Sequence, residues 1–153
     1  MENLLTATIE DTNLFISFLL PKIIISTICG FIIGYDREIK SKVAGVRTMI
    51  LICAGCALYT SVSTLMSNEI TDPTRVIGQI ATGIGFLGAG VIMKNEDKIV
   101  GVTTAAFIWV VSIIGVFIGL NWILSPILMS LGLVFTSRIF ETVEKRIQKS
   151  IEK

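Results

Sequence analysis

From Gly101 to Thr136 the chain runs 36 residues without a charged side chain. As one helix this run would reach about 54 Å at about 1.5 Å per residue, far beyond a hydrocarbon core of about 30 Å. It must therefore fold back, and the expected corner is Gly119-Leu120-Asn121. Two spans follow, at about 102–118 and about 122–136, with Trp122 at the interface. The second is short and carries Pro126. Elsewhere charges sit in short islands between apolar runs, and hydrophobic residues make up 52% of the chain. This is how a polytopic membrane protein is written, not an ordinary soluble domain.

Three more spans precede these two. Leu14 to Tyr35 has 22 positions, about 33 Å as a helix, and is interrupted by Pro21 and Lys22. A shorter span could begin at Pro21, with Leu4 to Leu20 at the interface. The longer span is preferred, with Lys22 snorkelling towards the nearer surface. Ser26, Gly30 and Gly34 recur every four residues and make a flat face on it. Thr48 to Met66 is uncharged and repeats that spacing at Cys53, Ala57 and Ser61. Asp72-Pro73 then reads as a helix start. The third span, Val76 to Met93, contains Thr82-Gly83-Ile84-Gly85-Phe86-Leu87-Gly88-Ala89-Gly90. Interior glycines weaken a helix in water, but in a bilayer small residues let neighbouring helices approach closely. This stretch is expected to be the central packing helix. Gly83, Gly85 and Gly88 also satisfy a GxGxxG spacing, yet no strand precedes them and Ile99 to Leu120 holds no carboxylate, so a dinucleotide site is disfavoured.

The expected fold is an all-α membrane bundle of about five transmembrane helices (14–35, 48–66, 76–93, 102–118 and 122–136). It forms a single domain over 1–137 with a short charged tail at 138–153, where Ile139, Phe140, Val143 and Ile147 fall at helical spacing. With the N-terminus outside, the inner segments hold Arg37, Lys40, Lys42, Arg47, Lys94, Lys98, Arg138, Lys145, Arg146, Lys149 and Lys153. The outer segments hold Arg75 and at most Lys22. That asymmetry places the C-terminus in the cytoplasm. Residues 1 to 13 carry no Lys or Arg, so a cleaved signal peptide with a basic start is not expected there.

Several function classes are disfavoured. Histidine is absent, and Cys29, Cys53 and Cys56 all lie in apolar runs. Cys53-Ala54-Gly55-Cys56 has the CxxC form without a thioredoxin-like context or two further zinc ligands, so these cysteines read as small packing residues. No catalytic residues, metal ligands or cofactor are expected. A net charge of +1 offers no concentrated basic face for nucleic acid. The expected partners are the lipid bilayer and other membrane proteins, with a homo-oligomer as a further possibility.

Candidate packing residues are Gly30, Gly34, Gly83, Gly85, Gly88, Gly90, Gly115 and Gly119. Gly85 and Gly88 are expected to mark close helix contacts, while Gly101, at a loop edge, should accept alanine. The candidate functional residues are Asp36, Arg37, Glu38, Arg47, Thr48, Asp72, Arg75, Thr103, Thr104 and Trp109. Unpaired charge bordering hydrocarbon is costly, so Asp36 or Glu38 is expected to pair with Arg47 or Arg75, and Arg75 is the weaker partner because the topology puts it at the opposite face. Asp72 with Arg75 reads as a helix-end pair. Thr103 and Thr104 could bond back to their own helix.

The chain resembles the MgtC/SapB (YhiD) family of bacterial inner-membrane proteins over roughly Lys22 to Gly119. The likeness rests on Gly34-Tyr35-Asp36-Arg37-Glu38, on Ala44-Gly45-Val46-Arg47-Thr48, on Asp72 with Arg75, and on the stretch Gly83 to Gly90. Gly101-Val102-Thr103-Thr104-Ala105-Ala106 with Trp109 and Gly115 completes it. The resemblance implies a multi-pass bundle in the inner membrane and a link to magnesium-limited growth and virulence. In some members it implies control of other membrane machines, such as the proton ATP synthase and magnesium transporters. Two departures stand out: Asp36 replaces a more usual Glu, and the soluble domain that many members carry after the last span is expected to be absent. The expected function is a non-enzymatic regulator of other membrane proteins. The alternative is a transporter or channel for magnesium or another cation, which the lack of an acid within any span disfavours.

Overall fold

The computed structural model describes residues 2–67, 72, 74–95 and 98–151. Glu69, Pro73, Glu96, Asp97 and Lys153 lie outside the described residues.

The backbone is helical from the start: α1 (Glu2–Leu14), a π-helical turn (Phe15–Leu19) and α2 (Leu20–Ile39) follow one another without a loop. Pro21 accounts for the π turn. Its ring has no N–H to donate one turn back, and the helix widens just before it, where the Leu20 N–H reaches the Phe15 carbonyl instead. Next come α3 (Val46–Met66) and α4 (Thr74–Gly90). Strands β1 (Met93–Asn95) and β2 (Lys98–Val100) form an antiparallel hairpin with Lys94 opposite Ile99. The charged island between the third and fourth expected spans thus satisfies its backbone by cross-strand pairing. The chain ends with α5 (Val102–Gly119) and α6 (Leu124–Ile151).

Apart from that hairpin the described residues are all-α. Four helical segments among them are long and apolar enough to cross a membrane: Thr8–Ile39, Val46–Met66, Val102–Gly119 and Leu124–Ile151. The 17-residue α4 is a fifth apolar helix. The chain reverses after α5, where Asn121 takes a φ of 67° and the Trp122 N–H reaches the Phe117 carbonyl. Pro126 falls in the first turn of α6, where no intrahelical donor is needed, so it does not shorten the helix. The tail expected as a separate segment continues α6 as far as Ile151.

The centre of the bundle is α3, not the glycine-rich α4. Cys53, Ala57 and Ser61 of α3 are wholly buried, with α2 on one flank and α5 on the other. Both contacts are backbone-close. A Cβ on Gly30 would stand 2.6 Å from the Ile50 Cα, and one on Gly34 would stand 2.5 Å from the Val46 Cα. From α5, a Cβ on Gly115 would meet the Cys56 Cβ at 2.8 Å, and one on Gly119 would meet the Ala57 carbonyl oxygen at 2.8 Å. By contrast, a Cβ on Gly83, Gly85 or Gly90 of α4 would meet nothing within 4 Å, and one on Gly88 would touch the Ala105 Cβ at an ordinary 3.6 Å. Close contact at Gly85 is therefore not a feature of this chain's own bundle.

Two further expectations are overturned. Gly101 has a φ of 93°, and a Cβ there would sit 2.9 Å from the Val91 carbonyl carbon, so the position is tight and left-handed rather than permissive. Lys22 does not snorkel outward. It is 4% exposed, lies 3.5 Å from the centre of the Phe18 ring and donates to the Gly119 carbonyl at 3.1 Å. The last carbonyls of α5 have no intrahelical donor, and an ammonium answers both their hydrogen-bonding and their partial negative charge.

Candidate functional site

The polar constellation of the bundle gathers where α2 ends. Ser41 takes a φ of 49°, its N–H reaching the Glu38 carbonyl and that of Lys42 the Arg37 carbonyl. This left-handed cap stops α2 and holds its last turn in place. Glu38 then bridges to the next helix: its Oε2 accepts from the Val46 N–H at 2.9 Å, supplying a cap for α3 from eight residues upstream. Gly45 makes room for it, because a Cβ there would sit 2.8 Å from the Glu38 Cδ.

Asp36 and Arg37, adjacent in sequence, serve different helices. Asp36 is 1% exposed and faces α6, accepting from the Arg138 Nε at 2.7 Å on one oxygen and pairing with the Lys40 Nζ at 2.9 Å through the other. Lys40 also pairs with Glu141 at 2.7 Å, and Glu141 with Lys145 at 3.1 Å. The result is an alternating ladder, Arg138–Asp36–Lys40–Glu141–Lys145, that ties the end of α2 to α6. Burial by itself lowers the pKa of the Lys40 ammonium, but the Glu141 and Asp36 carboxylates outweigh it and the net shift is upward.

Arg37 faces α5. Its guanidinium lies 4.2 Å from the centre of the Phe107 ring and its Nη2 donates to the Thr104 Oγ1 at 3.2 Å. Thr104 is thus an acceptor for another helix's arginine rather than only a self-bonded hydroxyl. Arg37 is 2% exposed, and its Nε has no hydrogen-bond partner among the described residues. A cavity of about 470 Å³ opens beside it, with Thr103 on its wall.

The remaining candidates stand apart. Arg47 and Thr48 are exposed in the first turn of α3, and neither Arg47 nor Arg75 forms an ion pair among the described residues. The expected pairing of Asp36 or Glu38 with Arg47 or Arg75 is therefore corrected: Arg138 and Lys40 take Asp36, and a backbone N–H takes Glu38. Asp72 lies beyond the far end of α3 and caps α4, accepting from the Thr74 N–H at 2.9 Å and its hydroxyl at 2.7 Å. Those bonds hold the Asp72 carboxyl below the usual carboxylate range. Trp109 is exposed on α5.

Sequence reasoning missed Arg138, Lys40, Glu141 and Gly45 as site residues. Lys40 had a signal, the i,i+4 spacing from Asp36. Arg138 and Glu141 had none, since they meet α2 only through tertiary packing about 100 positions away in the chain, with Arg138 and Asp36 separated by 102.

Among the described residues, no group of three or more His, Cys, Asp or Glu side chains could hold a metal ion. No solved structure matches the chain. Among curated proteins, it is 33% identical over its full length to an uncharacterised protein of Haemophilus influenzae, of which it covers 68%. Over 67% of its length it is 41% identical to YhiD of Escherichia coli K12, and over 59% it is 42% identical to MgtC of Brucella abortus. It spans 50% and 37% of those two relatives. The family model of MgtC matches residues 23–146. With that match and its long apolar helices, the chain belongs to the MgtC/SapB family of multi-pass inner-membrane proteins.

Proposed function

We propose that the protein is a non-enzymatic regulator that docks onto other membrane proteins through α4, in a role linked to magnesium homeostasis and to low-magnesium growth or virulence. The observation that carries this reading is the open side of α4. Gly83 and Gly90, seven residues apart and so on one face, have clear space beside them, and a cleft of about 460 Å³ runs between α3 and α4, walled by Leu51, Gly55, Tyr59, Gln79, Gly83 and Leu87. A small-residue face beside an apolar cleft suits a foreign transmembrane helix, because backbones can approach closely there. The provisional magnesium-transporter name of the Escherichia coli relative supplies the magnesium link.

The proposed topology has five spans, the N-terminus outside and the C-terminus in the cytoplasm. The cations of the α2 end, the β-hairpin and the far half of α6 then share the inner side. Reporter fusions at Met1 and Lys153 test it, and an external Lys153 would sink it.

Docking is tested by crosslinking and pull-down from native membranes with Gly83→Leu, which places a side chain in the cleft. The variant should keep its fold and lose captured partners, and neither wild type nor variant should carry magnesium in purified liposomes. Saturable magnesium flux that Gly83→Leu abolishes would replace the regulator with a cation transporter. Capture of a second copy alone would make the face a homo-oligomer contact.

A further inference from the structure

Arg37 is the most deeply buried cation of the polar end, and its neighbours do not use it up. A guanidinium carries five N–H donors. Here one hydrogen bond goes to Thr104, the Phe107 ring covers a face, and Nε is unpartnered among the described residues. The carboxylates whose charge it feels, Asp36 and Glu141, are already bonded to Arg138, Lys40 and Lys145. A buried arginine without a carboxylate of its own is expensive, unless an anion completes it.

The adjoining cavity of about 470 Å³ fits such an anion. Its wall carries four cations, Arg37, Lys40, Lys42 and Lys145, against the two carboxylates Glu141 and Glu144. Lys42 is exposed and free of ion pairs among the described residues. Leu133 and Phe140 form an apolar part of the same wall. The cavity is far larger than a bare oxyanion needs, and its mixture of cationic and apolar lining suits an anion that carries an organic body.

We infer that this cavity binds the phosphoryl group of a phosphate ester, with Arg37 as its buried anchor and Lys42 and Lys145 as its outer contacts. Arginine supplies paired N–H donors to phosphoryl oxygens, and the lysines add charge at the rim. Because the cavity lies at a charged end of the apolar helices, the ester is either the headgroup of an anionic phospholipid or a free phosphate compound; both present the same chemistry to Arg37.

The full chain, purified in a neutral detergent, is offered phosphatidylglycerol or phosphatidylcholine and read by native mass spectrometry, with inorganic phosphate as the soluble probe in a parallel melting assay. Preferential retention of phosphatidylglycerol assigns the site to a lipid headgroup. A raised melting temperature in phosphate without lipid preference assigns it to a soluble phosphate. In either case Arg37→Gln should weaken the response about tenfold or more, as expected for losing charge-assisted hydrogen bonds. Should Arg37→Gln fail to fold, Lys42→Gln combined with Lys145→Gln decides, since both side chains are exposed and losing the exposed Lys145–Glu141 pair should lower melting of the free protein only slightly. That double variant should weaken the response severalfold, and Lys94→Gln on the hairpin should leave it as in wild type. Equal retention of both lipids with no effect of phosphate overturns the inference. So does a response that survives the lysine double variant undiminished, or one that Lys94→Gln weakens equally.

Discussion

Two sets of glycines in this protein do opposite things. Those of α2 and α5 are where backbones meet: any side chain at Gly30, Gly34, Gly115 or Gly119 would collide with α3. Those of α4 are more densely spaced in sequence, yet Gly83, Gly85 and Gly90 face open space. The density of small residues therefore signals that a close approach is possible, and it does not say whose helix makes it. A closed face is a device of the fold. An open one is free for a partner.

The sharpest way to break this comparison is Gly30→Leu. The obstructing atom is the Ile50 Cα, which cannot move without shifting α3, so the cost should reach or exceed the upper part of the about 1 to 3 kcal/mol typical of overpacking. The expected outcome is loss of monodisperse protein in detergent, read by size-exclusion chromatography. Survival of Gly30→Leu with an unchanged melting temperature would mean that α2 and α3 are not in backbone contact.

Next in size is the ladder between α2 and α6. Asp36→Asn leaves Arg138 and Lys40 without their shared carboxylate and should cost about 1 to 3 kcal/mol, the usual range for a buried group left unsatisfied. Asp36→Arg with Arg138→Asp should recover part of the loss in a melting experiment, whereas Asp36→Arg with Arg47→Asp should not. Rescue by Arg47 instead would place Asp36 against α3.

Gly101→Ala comes third. The left-handed backbone and the nearby Val91 carbonyl should make it cost about 1 to 2 kcal/mol, within the range for a strained non-glycine residue. Thermal melting beside Gly90→Ala gives the contrast, because alanine at an open helical position should be neutral or slightly stabilising. Equal behaviour of the two would remove the distinction between them.

The smallest effect on stability, under about 0.5 kcal/mol, is expected for Gly85→Ala, as for substitutions that touch nothing. A large loss of stability in the isolated chain would show that the Gly85 face of α4 has a neighbour within the bundle.

The sequence by itself determined the apolar helices and their membrane setting. Long uncharged runs admit few alternatives when every backbone group must be satisfied away from water, and the unbroken run from Gly101 to Thr136 forced a reversal between α5 and α6. It also marked Asp36, Arg37 and Glu38 as a polar cluster at a helix end, because charge next to hydrocarbon is costly wherever it occurs. Partners were another matter. Only the tertiary structure decided that Asp36 turns to Arg138 on α6 while Arg37 turns to Thr104 on α5, that Lys22 caps α5 from the side, and that α3 rather than α4 is the centre. Helical periodicity places a residue on a face of its own helix, but the helix lying against that face is fixed by how all the helices pack together, and no local pattern in the chain carries that information.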